Sequence, residues 1–247
     1  MRVATFNVFS GRADDGSWDR SRFAEAVASL DADVLALQEV DVGQVRSGGA
    51  DLALLAAEAM GAVAHRFTAA LAGTPRRWVA ATGTEPLGTP RYGIALLSRL
   101  PVRTWRDVTI APVPVRMPHL RGGHPEWVRD ENRVAIVAEI ETPAGPREVV
   151  CTHLSFLRPW NRRQLGRLVR DLGVPRYPRL FLGDLNMRPR AAVRITGLAS
   201  LAAEATFPAH RPREQIDHVL GSPGLRVIGG GAVRLPMSDH RALYVDL

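Results

Sequence analysis

Short apolar runs and helix-like spacings of apolar residues follow one another along most of the chain. Runs typical of strands occupy 2–8, 33–37, 93–98, 102–110, 133–140, 147–154, 179–183, 215–220, 225–228 and 242–247. Helices are predicted over 18–30, 51–60, 160–172 and 190–195. Because strands and helices are interleaved and hairpins are common, we expect an α/β sandwich, with two packed sheets and helices outside them.

Two long segments lack both patterns. Residues 76–90, rich in Gly, Pro and Thr, are predicted to form a connection, and residues 111–131, rich in Pro, Arg, Gly and His, a long exposed loop. No internal repeat or domain linker interrupts the chain, so residues 1–247 are predicted to form a single domain.

Composition limits the class of protein. Hydrophobic residues make up 46% of the 247 residues, which is enough for a sizeable core and too many for a disordered chain. We expect no transmembrane segment, because no apolar run approaches the roughly 18 residues that a span needs. We expect no secretory signal either, since the chain starts directly on a strand pattern. The single cysteine, Cys151, lies in an apolar run, so we expect a buried thiol and a cytoplasmic protein.

The charge of the chain comes from arginine. The formal net charge is +7, and all 32 residues counted as Lys or Arg are arginine. Arginine is the better bidentate partner for phosphate, so this composition favours an anionic substrate. A coding preference for arginine and alanine explains the same composition equally well.

Polar residues able to bind a metal or phosphate stand at the ends of six apolar strands. They are Asn7, Glu39, His153, Asp184 with Asn186, Asp217 with His218, and Asp239 with His240 just before the last strand. Solvated turns explain any one of these residues, but turns favour Gly, Pro, Ser and Asn over repeated Glu, Asp and His. Ligand sites gather at strand ends in layered α/β folds, so the set predicts one shared site.

The segment Gly183-Asp184-Leu185-Asn186 is central to this prediction. If the chain is still extended there, Asp184 and Asn186 project to the same side while Leu185 points back into the protein. A carboxylate and a carboxamide on one side can position a water molecule or hold a phosphate oxygen. Taken alone, the same four residues are also typical of a turn.

The ordered set of motifs resembles a known family. The motifs are Thr5-Phe6-Asn7-Val8, Leu37-Gln38-Glu39-Val40, Thr152-His153-Leu154, Gly183-Asp184-Leu185-Asn186, Gln215-Ile216-Asp217-His218-Val219 and Ser238-Asp239-His240. In this order they are similar to those of the endonuclease/exonuclease/phosphatase superfamily, which includes deoxyribonuclease I, exonuclease III, sphingomyelinases and inositol polyphosphate 5-phosphatases. The resemblance covers residues 3–246 and implies a four-layer αββα sandwich, with two mostly antiparallel sheets flanked by helices.

The residues and the resemblance imply the same chemistry, which is divalent-metal-dependent hydrolysis of phosphate esters. Hard oxygen ligands without a Cys/His cluster favour Mg²⁺ or Mn²⁺ over zinc. Glu39 is the first expected metal ligand, with Asn7 beside it and Asp239 sharing the site. The metal would act as a Lewis acid on the phosphoryl group.

Protein side chains are expected to perform the remaining steps. His240 is the expected general base for the attacking water, and the resemblance implies that Asp217 orients it. Asp184 and Asn186 would align the water and the phosphoryl oxygens. His153 would hydrogen-bond the phosphate, and its protonation state stays open because no partner glutamate can be assigned.

Three residues carry weaker predictions. Arg133 resembles the phosphate-binding arginine of the deoxyribonuclease I branch, although a solvated strand-end arginine fits as well. Tyr92 is expected to line the pocket or to be a half-buried core residue. His218 follows Asp217 in a strand and therefore faces the other way, so we expect a structural role.

The substrate is left open by these residues. Specificity is expected to reside in loops, above all 111–131, which contains Arg116, His119, Arg121, His124, Trp127 and Arg129. The segment 156–160 either forms a wall of the same cleft or leads into the helix that follows it. A phosphodiesterase is the first expectation. The alternatives are a nuclease on DNA or RNA, a hydrolase of a phospholipid headgroup or sugar phosphate, and a phosphate-binding module that has lost activity.

Overall fold

A computed structural model of the chain describes residues 1–75, 77–121 and 124–247. The strands are β1 (Arg2–Asn7), β2 (Val34–Val42), β3 (Ala64–Thr74), β4 (Arg77–Ala80), β5 (Arg91–Ser98), β6 (Val102–Ile110), β7 (Met117–Arg121), β8 (His124–Val128), β9 (Arg133–Ile140), β10 (Arg147–His153), β11 (Arg179–Asp184), β12 (Ala199–Ser200), β13 (Asp217–Gly221), β14 (Gly229–Val233) and β15 (Ala242–Asp246). The α-helices are α1 (Arg20–Ser29), α2 (Leu52–Met60), α3 (Trp160–Leu172) and α4 (Pro189–Thr196).

The strands form two large sheets. The first sheet has the order β14-β15-β1-β2-β5-β3-β4, and the second has the order β12-β13-β11-β10-β9-β6. Most neighbours are antiparallel, but β1 pairs with β2 and β10 pairs with β11 in parallel. The parallel pairs lie near the middle of their sheets, and the two strands of each pair run toward the same edge of their sheet.

Three apolar layers hold the sandwich together. Phe6, Phe23 and Leu52 belong to the layer that packs α1 and α2 on the first sheet. Ile136 belongs to the layer between the sheets, and Leu165 to the layer that packs α3 and α4 on the second sheet. The fold is therefore the four-layer αββα sandwich implied by the resemblance. No helix in the described part of the chain is long and apolar enough to cross a membrane.

Several predicted connections are instead strands. The segment 76–90 contains β4, and its first residue, Arg76, lies outside the described residues. Within 111–131, β7 and β8 pair with each other as a two-stranded sheet, so the prediction of a long loop was wrong there. The predicted strand at 225–228 is wrong, and β14 pairs with β15 in its place. The segment of β14 is rich in glycine and has no strand pattern of its own, so its strand structure depends on the backbone groups of β15.

Gly183 occupies a conformation that only glycine adopts readily. Its φ is +145°, and a Cβ atom there would lie 1.9 Å from the carbonyl oxygen of Thr152 on β10. We expect Gly183→Ala to lower the free energy of unfolding by about 3 kcal/mol, because backbone strain and a clash with main chain act together. Gly166→Ala in α3 is the matched control, since its Cβ would meet nothing closer than 3.8 Å and alanine favours helix. Equal denaturant midpoints for the two variants would contradict this prediction.

Candidate active site

The ends of three strands meet where the two sheets face each other. β1 ends at Asn7 in the first sheet, whereas β10 ends at His153 and β11 at Asp184 in the second. The Asn7 amide nitrogen donates to Asp184 Oδ2 at 3.2 Å and to Glu39 Oε1 at 3.1 Å. Its amide oxygen accepts the backbone N–H of Phe9 at 3.1 Å. One buried amide therefore holds two carboxylates that come from different sheets.

Glu39 reaches this position through a β-bulge. The pairing of β2 with β5 shifts register between Gln38 and Val40, and Glu39 has a φ of 57°. Leu37 and Val40 both pack toward the helices, while the Gln38 amide lies 3.8 Å from Cys151 Sγ in the second sheet. The extra residue turns Glu39 toward the gap between the sheets. The sequence pattern placed Glu39 at the end of its strand. In the structure β2 continues beyond Glu39, so that position was wrong.

His240 and Asp217 form a buried pair on the other side of Asp184. Asp217 was predicted at a strand end, but it is the first residue of β13. It still lies opposite Asp184, because β11 and β13 are antiparallel. His240 Nδ1 is 2.9 Å from Asp217 Oδ2, and His240 Nε2 is 3.9 Å from Asp184 Oδ2. The Thr206 hydroxyl donates to the same Asp217 oxygen, and the Phe207 ring packs on the imidazole with a centroid distance of 4.9 Å. Asp217 thus fixes the ring with Nε2 facing Asp184.

Strained backbone concentrates at this site. Glu39, Asn186 and Ser238 all have positive φ angles, of 57°, 51° and 69°, although none of them is glycine. The Asn186 N–H donates to Asp184 Oδ1 at 2.9 Å, and its side-chain amide donates to the carbonyl of Leu154 at 3.0 Å. The Ser238 hydroxyl donates to a backbone carbonyl of β1 at 2.6 Å. Such strain persists only where surrounding contacts enforce it, and it is typical of functional sites.

His153 is the second imidazole of the site. Its Nε2 lies 3.6 Å from Asp184 Oδ2 and 3.4 Å from the amide nitrogen of Asn186. Burial, followed by the positive charges of Arg133 and His240, holds the pKa of His153 well below its ordinary value. This direction favours the neutral form of the His153 imidazole.

The pKa values of Glu39, Asp184 and His240 are shifted in the opposite direction. Burial raises the pKa of Glu39, and burial with the charge of Asp217 raises the pKa of Asp184 to about 7. Burial alone would lower the pKa of His240, but the neighbouring carboxylates, Asp217 first, raise it to about 10. The site holds more carboxylate charge than its own histidines neutralise, which is the electrostatic setting that attracts a cation.

Arg133 and Tyr92 line the same region. Arg133 is 5% exposed, its Nε has no hydrogen-bond partner among the described residues, and the nearest carboxylate oxygen, of Glu131, is 3.9 Å away. A buried guanidinium that lacks a close anion is costly unless a ligand supplies one. Tyr92 is half-buried, and burial together with the charge of Glu39 raises its pKa well above its ordinary value.

The structure brings together seven predicted residues through direct contacts, namely Asn7, Glu39, His153, Asp184, Asn186, Asp217 and His240. Asp239 stands at the rim, with its side chain 41% exposed and Oδ1 3.9 Å from His240 Nε2. His218 points elsewhere, since its Nε2 is 2.8 Å from the carbonyl oxygen of Met187. Predictions for His119, Arg121 and His124 fall on side chains outside the described residues.

Sequence reasoning missed three residues that support the site. Thr206 and Phe207 lie in a loop without a motif, and only their tertiary contacts with Asp217 and His240 reveal them. Asn161 donates to the carbonyl of Asn186 at 2.6 Å from the buried face of α3. A polar residue on the apolar face of a predicted helix was the available signal for Asn161.

The donor set fits a hard divalent cation. Asp184, Asp217 and His240 each offer a ligand atom within 4.8 Å of the others. The Asp217 oxygen that contacts His240 also accepts the Thr206 hydroxyl, so this group suits a proton network better than a metal. Glu39 and Asp239, whose negative charge acts on Glu39, present carboxylate oxygens of the kind that Mg²⁺ and Mn²⁺ bind.

The fold and the site define an α/β sandwich protein with a cluster of acids and histidines between its sheets. The chain belongs to the Endonuclease/Exonuclease/phosphatase family, whose sequence profile matches residues 4–240. A comparison with curated proteins gives no match.

Solved structures with the same fold cover nearly the whole chain. A family member from Bacteroides vulgatus has a TM-score of 0.67 at 18% identity, with 99% of this chain and 97% of that chain covered. The mannosyl-6-phosphatase of Bacteroides thetaiotaomicron has a TM-score of 0.61 at 16% identity, covering 100% and 98%. Sphingomyelinase C from Streptomyces griseocarneus has a TM-score of 0.62 at 17% identity, covering 99% and 98%.

Proposed function

We propose that this protein is a divalent-metal-dependent hydrolase of phosphate esters, most readily a phosphodiesterase, formed by one domain over residues 1–247. The observation that carries this proposal is the convergence of Glu39, Asp184 and His240. Asn7 bonds both carboxylates, and His240 Nε2 lies 3.9 Å from Asp184. Three groups from distant segments therefore face one gap, where a phosphoryl group can contact all of them.

His240 acts as the general base toward the attacking water. Its Nδ1 is occupied by Asp217, so only Nε2 is free to accept a proton. Asp217 holds the imidazole in one tautomer and stabilises the imidazolium that forms. Asp184 and Asn186 align the water and the phosphoryl oxygens from the other side of His240.

The metal ligands in this proposal are Glu39, with Asp239 sharing the site. We propose a role for Asn7 other than metal ligation, because its amide nitrogen faces the carboxylates and its oxygen is occupied. We assign it to orienting Glu39 and Asp184. When bound, Mg²⁺ or Mn²⁺ polarises the phosphoryl group and adds positive charge that lowers the pKa of His240 toward neutrality.

Arg133 and His153 bind the substrate phosphate. The buried guanidinium of Arg133, whose nearest carboxylate oxygen is 3.9 Å away, provides a charge-assisted donor for a phosphate oxygen. His153, as a neutral imidazole, provides a further hydrogen bond without adding charge to the ground state. Tyr92 lines the pocket between Glu39 and Arg133, whose charges both influence its pKa.

The named relatives support the reaction class without deciding the substrate. A mannosyl-6-phosphatase and a sphingomyelinase C share the fold with this chain. Sugar phosphate, phospholipid headgroup and nucleic acid are thus the substrate classes to compare. The buried Cys151 is consistent with the reducing cytoplasm that we propose as its compartment.

The purified protein is expected to hydrolyse bis-p-nitrophenyl phosphate with Mg²⁺ or Mn²⁺ and to lose this activity in chelator. Release of p-nitrophenol measures the rate, and added metal should restore it after chelation. The monoester p-nitrophenyl phosphate, assayed in parallel, separates phosphodiesterase from phosphatase activity. Absence of turnover on both, and on DNA, RNA, sphingomyelin and inositol phosphates, would favour a binding module instead.

A further inference from the structure

A separate cavity of about 180 Å³ lies beside the catalytic residues, where α3 and α4 begin. Its lining consists of Arg158, Asn161, Arg162, Met187 and Arg188, and we call it the arginine pocket. Liquid water occupies ~30 Å³ per molecule, so this volume accommodates a phosphate group with some of its hydration water.

The arginine pocket carries more positive charge than its surroundings balance. Arg158 lies 3.7 Å from Glu214, and the side chains of both residues are about half exposed. Arg162 and Arg188 form no ion pair within the parts of the chain that the structure describes. Three guanidinium groups therefore share one distant carboxylate, an arrangement that suits a bidentate oxyanion ligand.

The helices add to this charge. Neither α3 nor α4 has a side-chain N-cap or an acidic residue in its first turn. Arg162 lies in the first turn of α3, and Arg188 is the N-cap residue of α4. Helix N-termini carry partial positive charge and favour acidic residues, so arginine is electrostatically unfavourable at both positions until an anion binds.

The arginine pocket shares a wall with the catalytic site. Asn161, which lines the pocket, donates to the carbonyl of Asn186 at 2.6 Å, and the Asn186 amide lies 3.4 Å from His153 Nε2. Met187 and Arg188 directly follow Asn186 in the chain. The pocket therefore adjoins the catalytic residues through Asn161 and the chain segment 186–188.

We propose that the arginine pocket binds a second phosphate group of the substrate, so that the enzyme acts on compounds that carry two or more phosphates. This inference rests on the proposed function and narrows it. The second phosphate is either a terminal monoester, as in a sugar bisphosphate, or an internal diester, as in a nucleotide strand. Both share the oxyanion that arginine recognises.

The test compares ligands that differ in phosphate number, with titration calorimetry in Mg²⁺ and a His240→Gln background that prevents turnover. The ligands are thymidine 5′-monophosphate, thymidine 3′,5′-bisphosphate and a trithymidylate without terminal phosphates. We expect at least one two-phosphate ligand to bind about 10-fold more tightly than the monophosphate. R162Q/R188Q should remove that advantage and change monophosphate affinity less than about 3-fold.

R170Q/R194Q is the matched control, because it removes two exposed arginines from the far ends of the same helices. If R162Q/R188Q weakens binding of the bisphosphate alone, the second phosphate is a terminal monoester. If it weakens binding of trithymidylate alone, the second phosphate is an internal diester. Equal affinity of the protein for all three ligands would overturn the proposal. It would also be overturned if R170Q/R194Q lost as much two-phosphate affinity as R162Q/R188Q, or if R162Q/R188Q lost monophosphate affinity to the same extent. Hydrolysis by the parent enzyme tests the proposed function separately. An active enzyme that binds two-phosphate ligands no more tightly than the monophosphate would refute only the assignment of the arginine pocket as a phosphate site.

Discussion

Replacing His240 with alanine should lower kcat on a phosphodiester by about 10²- to 10⁴-fold, which corresponds to roughly 2.7–5.4 kcal/mol of transition-state stabilisation. His240 Nδ1 is held by Asp217 and its Nε2 faces Asp184, so Nε2 is positioned to take the proton from a water molecule that Asp184 aligns. His240→Gln keeps a polar group of similar size beside Asp217 and should lose as much activity. Initial rates at saturating substrate measure the effect.

The dependence of rate on pH gives a sharper test of the same dyad. The neutral imidazole is the active form of the base, so the rate should rise with pH as His240 loses its proton. Asp217 raises the pKa of His240, and Asp217→Asn should therefore move this rise to lower pH while lowering kcat. His65→Ala, at an exposed position on β3, is the control that should change neither quantity. Undiminished turnover in His240→Ala would refute the assigned base.

Glu39→Gln should weaken Mn²⁺ binding by at least about 10-fold and reduce metal-dependent turnover to a similar or greater extent. Loss of one carboxylate ligand removes both charge and a hard oxygen donor from the cation. Glutamine can still accept the Asn7 hydrogen bond, which keeps the bulge geometry. Titration calorimetry with Mn²⁺ measures the affinity, and His153→Ala should weaken it less than Glu39→Gln does.

The stability of the metal-free variant distinguishes a metal ligand from a structural residue. Burial raises the pKa of Glu39, which means that the ionised carboxylate is unfavourable in the folded protein. Glu39→Gln should therefore leave the metal-free melting temperature unchanged or higher, whereas a structural residue would lower it. Glu58→Gln, exposed on α2, is the matched control for the change in charge. A greater loss of Mn²⁺ affinity in His153→Ala would contradict the ligand assignment.

Much of the fold follows from local pattern. β6, β9 and α3 have the predicted boundaries, because continuous apolar runs and helical spacing are strong signals within one element. The missed strands are β3, β4, β7, β8, β12 and β14, since their strand structure depends on the neighbour that pairs with them and less on their own residues. Pairing partners are distant in sequence, and a local pattern does not contain them.

The sequence by itself determined the family, the layered architecture and the identity of the polar residues at strand ends, because these depend on residue type, order and local periodicity. Only the tertiary structure decided which atoms of those residues meet. It placed the Asn7 amide nitrogen between two carboxylates, turned Glu39 inward at a bulge and left Arg133 buried without a close partner. These features depend on the stacking of two sheets and on non-local hydrogen bonds, which no local sequence pattern encodes.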